Sequence, residues 1–296
     1  MQLRPCRYAG RVLRTRTWKS SSLRLLNDSD RDEALLICDR EPVTNVFVSA
    51  RLRAAGLDPG RLGAQLWGYS DGGRLTSLCY SGANLVPVGA TSSAVTAFAG
   101  RARLQGRRCS SIVGPAAAVQ ELWGLLSPHW GRPREVRAVQ PVLAISGAPL
   151  LPPDPLVRAV RPGELDILLP ACVDMFTEEV GVSPIGADGG AAYRARVMEL
   201  IRAGRSFARI EDGRVIFKAE VGSVTLQACQ VQGVWVPPDL RGRGIAARGM
   251  AAVVTIALDC IAPVVTLYVN DFNAPARAAY RRVGFTEVGA FMSVLF

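Results

Sequence analysis

The chain has 296 residues, 49% of them hydrophobic and 20% charged, with a formal net charge of +10 and a pI near 9.7. That length suggests two domains, and the apolar fraction is ample for buried cores and excludes wholesale disorder. The charge argues against a nucleic-acid-binding face because it is concentrated: Met1 to Arg24 hold seven basic residues and no acid, whereas residues 25–154 carry 13 basic against 11 acidic and residues 155–296 carry 15 against 14.

The leader, residues 1–22, is Arg-rich and ends in Ser20 to Ser22. Its composition suits either an organelle transit peptide or a disordered N-terminus, and disorder is the expectation taken. No apolar run is long enough for a secretory signal or a membrane span. Beyond the leader, the pattern predicts a strand at Leu23 to Leu26, one or two helices over Asp30 to Gly56, and a strand meander from Ala64 to Val88 turning at Asp71-Gly72-Gly73. A helix at Ser92 to Gln105, a strand at Ser110 to Val113, a helix at Ala116 to Leu126 and a long strand at Glu135 to Ile145 follow.

The proline-dense run Pro149 to Pro155 reads as a linker. After it come a strand at Val157 to Val160, helices at Glu164 to Val180 and Tyr193 to Ala203, and strands at Ser206 to Ile210, Arg214 to Val224 and Val231 to Val236. A helix at Gly244 to Asp259, a strand at Val264 to Val269, a helix at Pro275 to Val283 and a closing strand complete the chain. The two halves share one element order, which predicts a duplicated α/β domain: residues 23–148 and 156–296, joined by 149–155. Seven cysteines stand singly and the chain has one histidine, His129, so reduced core thiols in a cytoplasmic protein and no metal site are expected.

The segment with the most chemistry is Val234 to Ala247, V-W-V-P-P-D-L-R-G-R-G-I-A-A. A strand ends at Pro237-Pro238, an Arg/Gly turn follows, and a helix opens. Backbone amides converging at a helix N-terminus form a pyrophosphate cradle, with Arg241 and Arg243 as cationic cover. Gly242 to Ala247 also satisfies the dinucleotide pattern G-x-G-x-x-A. A dinucleotide fold needs that turn after the first strand of a βαβ series, and here a meander precedes it and the chain soon ends.

Coenzyme A fits the context better. Arg241-Gly242-Arg243-Gly244-Ile245-Ala246, with its V-x-P-x-x-R lead-in at Val236 to Arg241, resembles the R/Q-x-x-G-x-G/A signature of the GNAT N-acetyltransferase superfamily. Asn270 to Phe285 is similar to that family's N-x-x-A-x-x-x-Y-x-x-x-G-F block. The resemblance covers roughly residues 155–296 and implies tandem GNAT-like domains, each a mixed, mostly antiparallel sheet flanked by helices, as in mycothiol synthase and related two-domain actinobacterial proteins.

The resemblance also implies the site. Val234, Trp235 and Val236 would pair with the pantetheine arm of acetyl-CoA, amides of Gly242, Arg243, Gly244, Ile245, Ala246 and Ala247 would take its pyrophosphate, Asn273 would bond the arm, and Tyr280 would protonate the leaving thiolate. The implied activity is acetyl transfer to a primary amine of a small molecule or a peptide N-terminus, and the alternative is a non-catalytic acyl-CoA-binding module. The positions where family members keep a carboxylate base are Tyr268, Gln230 and Gln232. Glu178 and Glu179, at a helix end that borders the acceptor site in this fold, are candidate bases, with Glu220 a third; each could equally be a solvated carboxylate. In the first half, Asn84 to Ser92 stands where the second half has its cradle, with one glycine and no arginine. The N-terminal domain is therefore expected to lack a cofactor site and to wall the acceptor pocket.

Overall fold

The computed structural model describes residues 22–186 and 189–296; the leader expected over residues 1–22 lies, apart from Ser22, outside them. The first half runs β1 (Ser22–Leu25), α1 (Arg31–Cys38), α2 (Val46–Ala55), α3 (Pro59–Leu62), β2 (Gln65–Asp71), β3 (Arg74–Ser81), β4 (Asn84–Val88), α4 (Ser92–Gln105), β5 (Ser111–Pro115), α5 (Ala116–Trp130) and β6 (Glu135–Ile145). The second half repeats that order, without a counterpart of α3, as β7 (Arg158–Ala159), α6 (Leu165–Val180), α7 (Ala191–Arg202), β8 (Ser206–Glu211), β9 (Arg214–Val224), β10 (Cys229–Trp235), α8 (Ile245–Cys260), β11 (Val265–Tyr268), α9 (Ala274–Val283) and β12 (Thr286–Leu295).

Local chemistry sets the boundaries that matter. Thr91 caps α4 by accepting from the Ala94 amide, and Asn273 caps α9 by accepting from the Ala276 amide. The β8–β9 hairpin turns through Asp212 and Gly213, both at positive φ. Two details depart from the sequence expectation: α5 runs through Pro128 to Trp130, and α3 occupies part of the stretch before the meander.

Among the described residues, twelve strands form one sheet, ordered β1-β2-β3-β4-β5-β12-β6-β11-β10-β9-β8-β7. The order is a near-mirror of the repeat with the last strands exchanged. β6, from the first half, pairs with β11, and β12, from the second, pairs with β5; the two exchanged strands also pair with each other, antiparallel. Among the described strand pairs only β4–β5 and β10–β11 are parallel.

The exchange extends into the cores. Leu143 and Ile145 of β6 pack in the cluster built by β9, β10, α8 and α9, while Met292 and Val294 of β12 pack with Trp67, Phe98 and Leu122 of the first half. Within the second half α8 lies close on the sheet, because any side chain at Gly249 would collide with the Phe217 ring. Each parallel pair holds for two residues and then parts: β10 meets β11 at Cys229–Val265 and Gln230–Thr266, and β4 meets β5 at Asn84–Ser111 and Leu85–Ile112.

Candidate functional site

The parting of β10 from β11 is sharpened by a bulge. Between Gln232 and Trp235, β10 carries one residue more than β9, and Gly233 takes φ +61° to make it. Backbone groups of Val234, Trp235 and Val236 consequently run beside β11 without pairing to it. An extended ligand bearing amides can satisfy such groups.

The strand leads through Pro237 and Pro238 into the turn. Arg241 Nε donates to the Val236 carbonyl at 3.0 Å, and Gly242 and Gly244 follow at φ +77° and +78°, a conformation that resists any side chain. α8 then opens at Ile245 with no side chain capping it, so the first amides of the helix remain available to an anion. The corresponding helix of the first half, α4, has one of its amides taken by Thr91. The residues therefore fit a pyrophosphate in the second half, whereas at the corresponding helix start of the first half the Ala94 amide is already satisfied.

Arg241 is not loose cationic cover. Its two terminal nitrogens each lie 2.7 Å from Glu178, which also accepts from Trp235 Nε1 at 3.3 Å. The Arg241 hydrogen bond holds the Glu178 carboxyl below its ordinary range. Glu178, expected as a candidate base, is thus the partner of the Arg/Gly turn, tying the end of α6 to it. Arg243 reaches the Asp239 carbonyl, and Asp239 is paired with Arg214.

Glu179 faces the other way. It accepts from Arg137 at 2.7 Å and from Asn270 Nδ2 at 3.0 Å, and a chain continues through Gln140 to Ser293. This network joins α6 to both exchanged strands. Tyr280 is buried on α9 against Phe285, and burial, with a smaller contribution from the Glu179 carboxylate, pushes its phenol well above the ordinary range. Asn273 spends its side-chain oxygen on capping α9.

Glu220 is the third carboxylate, and its contacts with Gln232 and Lys218 could not be read from the sequence. Gln232 donates to it at 2.9 Å, and Lys218, fully buried and without a hydrogen-bond acceptor, lies 3.6 Å away. The Gln232 carboxamide lies flat over Gly222, where any side chain would strike it, and the Lys218 ammonium packs against the Gly233 bulge. One hint was visible: Lys218 is, beside Lys19, the only lysine in a chain whose other 33 basic residues are arginine. No group of three or more metal-ligating side chains occurs among the described residues, and no described helix is long and apolar enough to cross a membrane.

Residues 180–285 match the acetyltransferase (GNAT) family, and residues 64–168 match a domain of unknown function, DUF4081, that crosses the proline-rich run. Solved structures of the same fold include a GCN5-related N-acetyltransferase from Sphaerobacter thermophilus (16% identity, TM-score 0.60, 92% of this chain and 94% of that one). A tandem GNAT protein from the clavulanic acid biosynthesis pathway is similar at 14% identity and TM-score 0.55, over 93% and 98% of the two chains. A GNAT-family acetyltransferase from Colwellia psychrerythraea is similar at 13% identity and TM-score 0.54, over 93% and 99%. No curated protein matches the chain in sequence. Residues 180–285 thus match the GNAT acetyltransferase family, within a chain that as a whole shares the fold of a tandem GNAT protein.

Proposed function

We propose that the chain is an acetyl-CoA-dependent N-acetyltransferase, moving an acetyl group by direct attack to the primary amine of a small molecule or a peptide N-terminus. The observation that carries this reading is the bulged, parted strand β10 running into an uncapped helix start behind two left-handed glycines. Acetyl-CoA, when bound, supplies the acetyl group as an activated thioester. Val234, Trp235 and Val236 offer the pantetheine arm the backbone groups that β11 leaves unpaired, and the amides of residues 242–247 take the pyrophosphate beside Arg243. The Glu178 pair fixes Arg241 and with it the entry to the turn. Asn273, its oxygen occupied by the cap, has its Nδ2 left to donate to the arm.

Tyr280 holds the proton that the departing thiolate needs, and its raised pKa keeps that proton in place at working pH. At the acceptor end, an α-amino group with a pKa of about 7.7–8.0 is partly neutral near pH 7.5 and needs little more than positioning. Its proton leaves to water; of the three carboxylates Glu220 is the one Gln232 contacts, and like Glu178 and Glu179 it is held in an ion pair, with Lys218. The test is release of free CoA from acetyl-CoA across an amine panel, with wild type beside Tyr280→Phe. Stimulated release that falls in the variant, with acetyl-CoA binding unchanged, is expected. Tight acetyl-CoA binding with no amine stimulating release would leave a non-catalytic binding module instead.

A further inference from the structure

Between the two halves lies a cavity of about 140 Å³ with walls from both. Gln230 and Gln232 of β10 and Tyr268 at the end of β11 form one side. The other is the start of α2, with Phe47, and the parted ends of β4 and β5, with Val86, Pro87 and Val113. This second parting is the internal counterpart of the slot beside β10. Pro87 removes a backbone donor there, and the helix that follows is capped by Thr91. The first half therefore contributes a mostly apolar wall, interrupted by the uncharged polar Thr44, Asn45 and Asn84, where the second half has the parted backbone of β10. No charged side chain lines the cavity among the described residues.

Gln232 is the polar group at the second-half end whose orientation is fixed. Glu220 can only accept, so the Gln232 amide presents its Nε2 to the carboxylate, and its Oε1 is the end left for a donor. Gly222 gives the carboxamide its bed, and the buried Lys218 compensates the Glu220 charge. A primary amine has the N–H groups that such an oxygen lacks. A second charge on the same molecule would be stripped of water in the cavity and would find no counter-charge.

We propose that this cavity is the acceptor site and that it selects a primary amine on an uncharged, mainly apolar body, with Gln232 Oε1 receiving an N–H of the amine. The inference rests on the acyl-transfer reading above. In the reaction the neutral amine nitrogen forms the new bond to the acetyl carbon as the carbon–sulfur bond breaks, the nitrogen then loses a proton to solvent water, and the thiolate gains one from Tyr280.

The experiment compares kcat/KM for hexylamine and phenethylamine with that for 1,6-diaminohexane and 6-aminohexanoate, in wild type, Thr44→Asp and Thr44→Asn. Thr44 lies at the cavity rim, and the Asn variant matches Asp in size without its charge, which separates charge from folding. The apolar amines should lead by on the order of 100-fold. Thr44→Asp, but not Thr44→Asn, should narrow the gap for the diamine alone, and Gln232→Leu should raise KM for the amine while leaving KM for acetyl-CoA. Equal or better use of the charged amines, or turnover indifferent to Thr44→Asp and Gln232→Leu, overturns the proposal while acetyl transfer stands. Calorimetry of hexylamine with the full chain keeps the two readings apart. Binding that Thr44→Asp alters, without any turnover, supports the pocket and counts against acyl transfer, whereas neither binding nor turnover overturns both.

Discussion

Tyr280 was found from its place in a block of residues, and its environment now says what its hydroxyl can do. A phenol whose pKa lies above 10 stays protonated through neutral and mildly alkaline solution, so its ability to give a proton persists there. Tyr280→Phe is expected to lower kcat about 100-fold. In wild type, kcat should hold level from the pH at which the amine is neutral up to about pH 10, because the donor's raised pKa moves its loss of protonation beyond that range. A fall in kcat near pH 8 to 9 that Tyr280→Phe abolishes would place the phenol's pKa at an ordinary or lowered value. Lys218 and Glu220 give a second expectation. Glu220→Gln leaves the buried ammonium alone and should cost about 3–5 kcal/mol in urea unfolding, whereas Lys218→Met with Glu220→Gln should recover most of it. If the double variant is no more stable than Glu220→Gln, the pair is not coupled. The glycines, Tyr280 and Asn273 were legible because their signal is local. The Arg241–Glu178 and Glu179–Arg137 pairs were not, because they join residues 63 and 42 positions apart and any arginine could have answered either carboxylate.

Elements were legible where the chain carries its own punctuation. Ser92–Gln105 and Glu135–Ile145 fall where their patterns put them, the first between a threonine cap and Gly106. α5 was expected to stop short of Pro128, yet it continues because Trp130 packs its ring against Phe296 of the exchanged strand end, and tertiary contact outweighs the lost amide. The bulge in β10 left only Gly233 as a trace, since it depends on register against β9. One junction makes a pH prediction. Glu164, leading into α6, accepts from Arg158 of β7 and from the Arg161 amide, and the Arg158 hydrogen bonds lower its pKa to about 2. A carboxylate depressed in the folded state stabilises it above the unfolded pKa of about 4.3 and loses that contribution as pH falls through the folded value. Glu164→Gln should therefore cost up to about 1 kcal/mol at pH 7, and the difference should shrink between about pH 4.5 and 2. Thermal unfolding at both pH values reads this, and a gap that widens on acidification has the wrong sign.

At the scale of the molecule the repeat was legible from element order, but the exchange of its last strands was not. β6 and β12 both read as long strands closing their halves, and neither sequence says which β11 or β5 edge it will join. The structure puts each in the other half's interior: β6 covers the edge of β11, and β12 covers the edge of β5. Residues 156–296 made alone would leave the β11 edge open, with Leu143 and Ile145 missing from the core beside it. Residues 22–155 would leave the β5 edge open and lack Met292 and Val294. Each absent side chain is worth about 1.5–3 kcal/mol of burial, and the exposed edges invite pairing with other chains. The chain cut within the 149–155 run should consequently behave as one unit. Each fragment alone should aggregate or unfold without a cooperative transition, and the two produced together should elute as a one-to-one complex with the full chain's circular dichroism. Such a complex should also restore the inter-half cavity, and with it amine-stimulated CoA release, which residues 156–296 alone should not support. A monomeric 156–296 fragment that melts cooperatively and releases CoA at the full chain's rate would show that the exchanged strands are dispensable to the site.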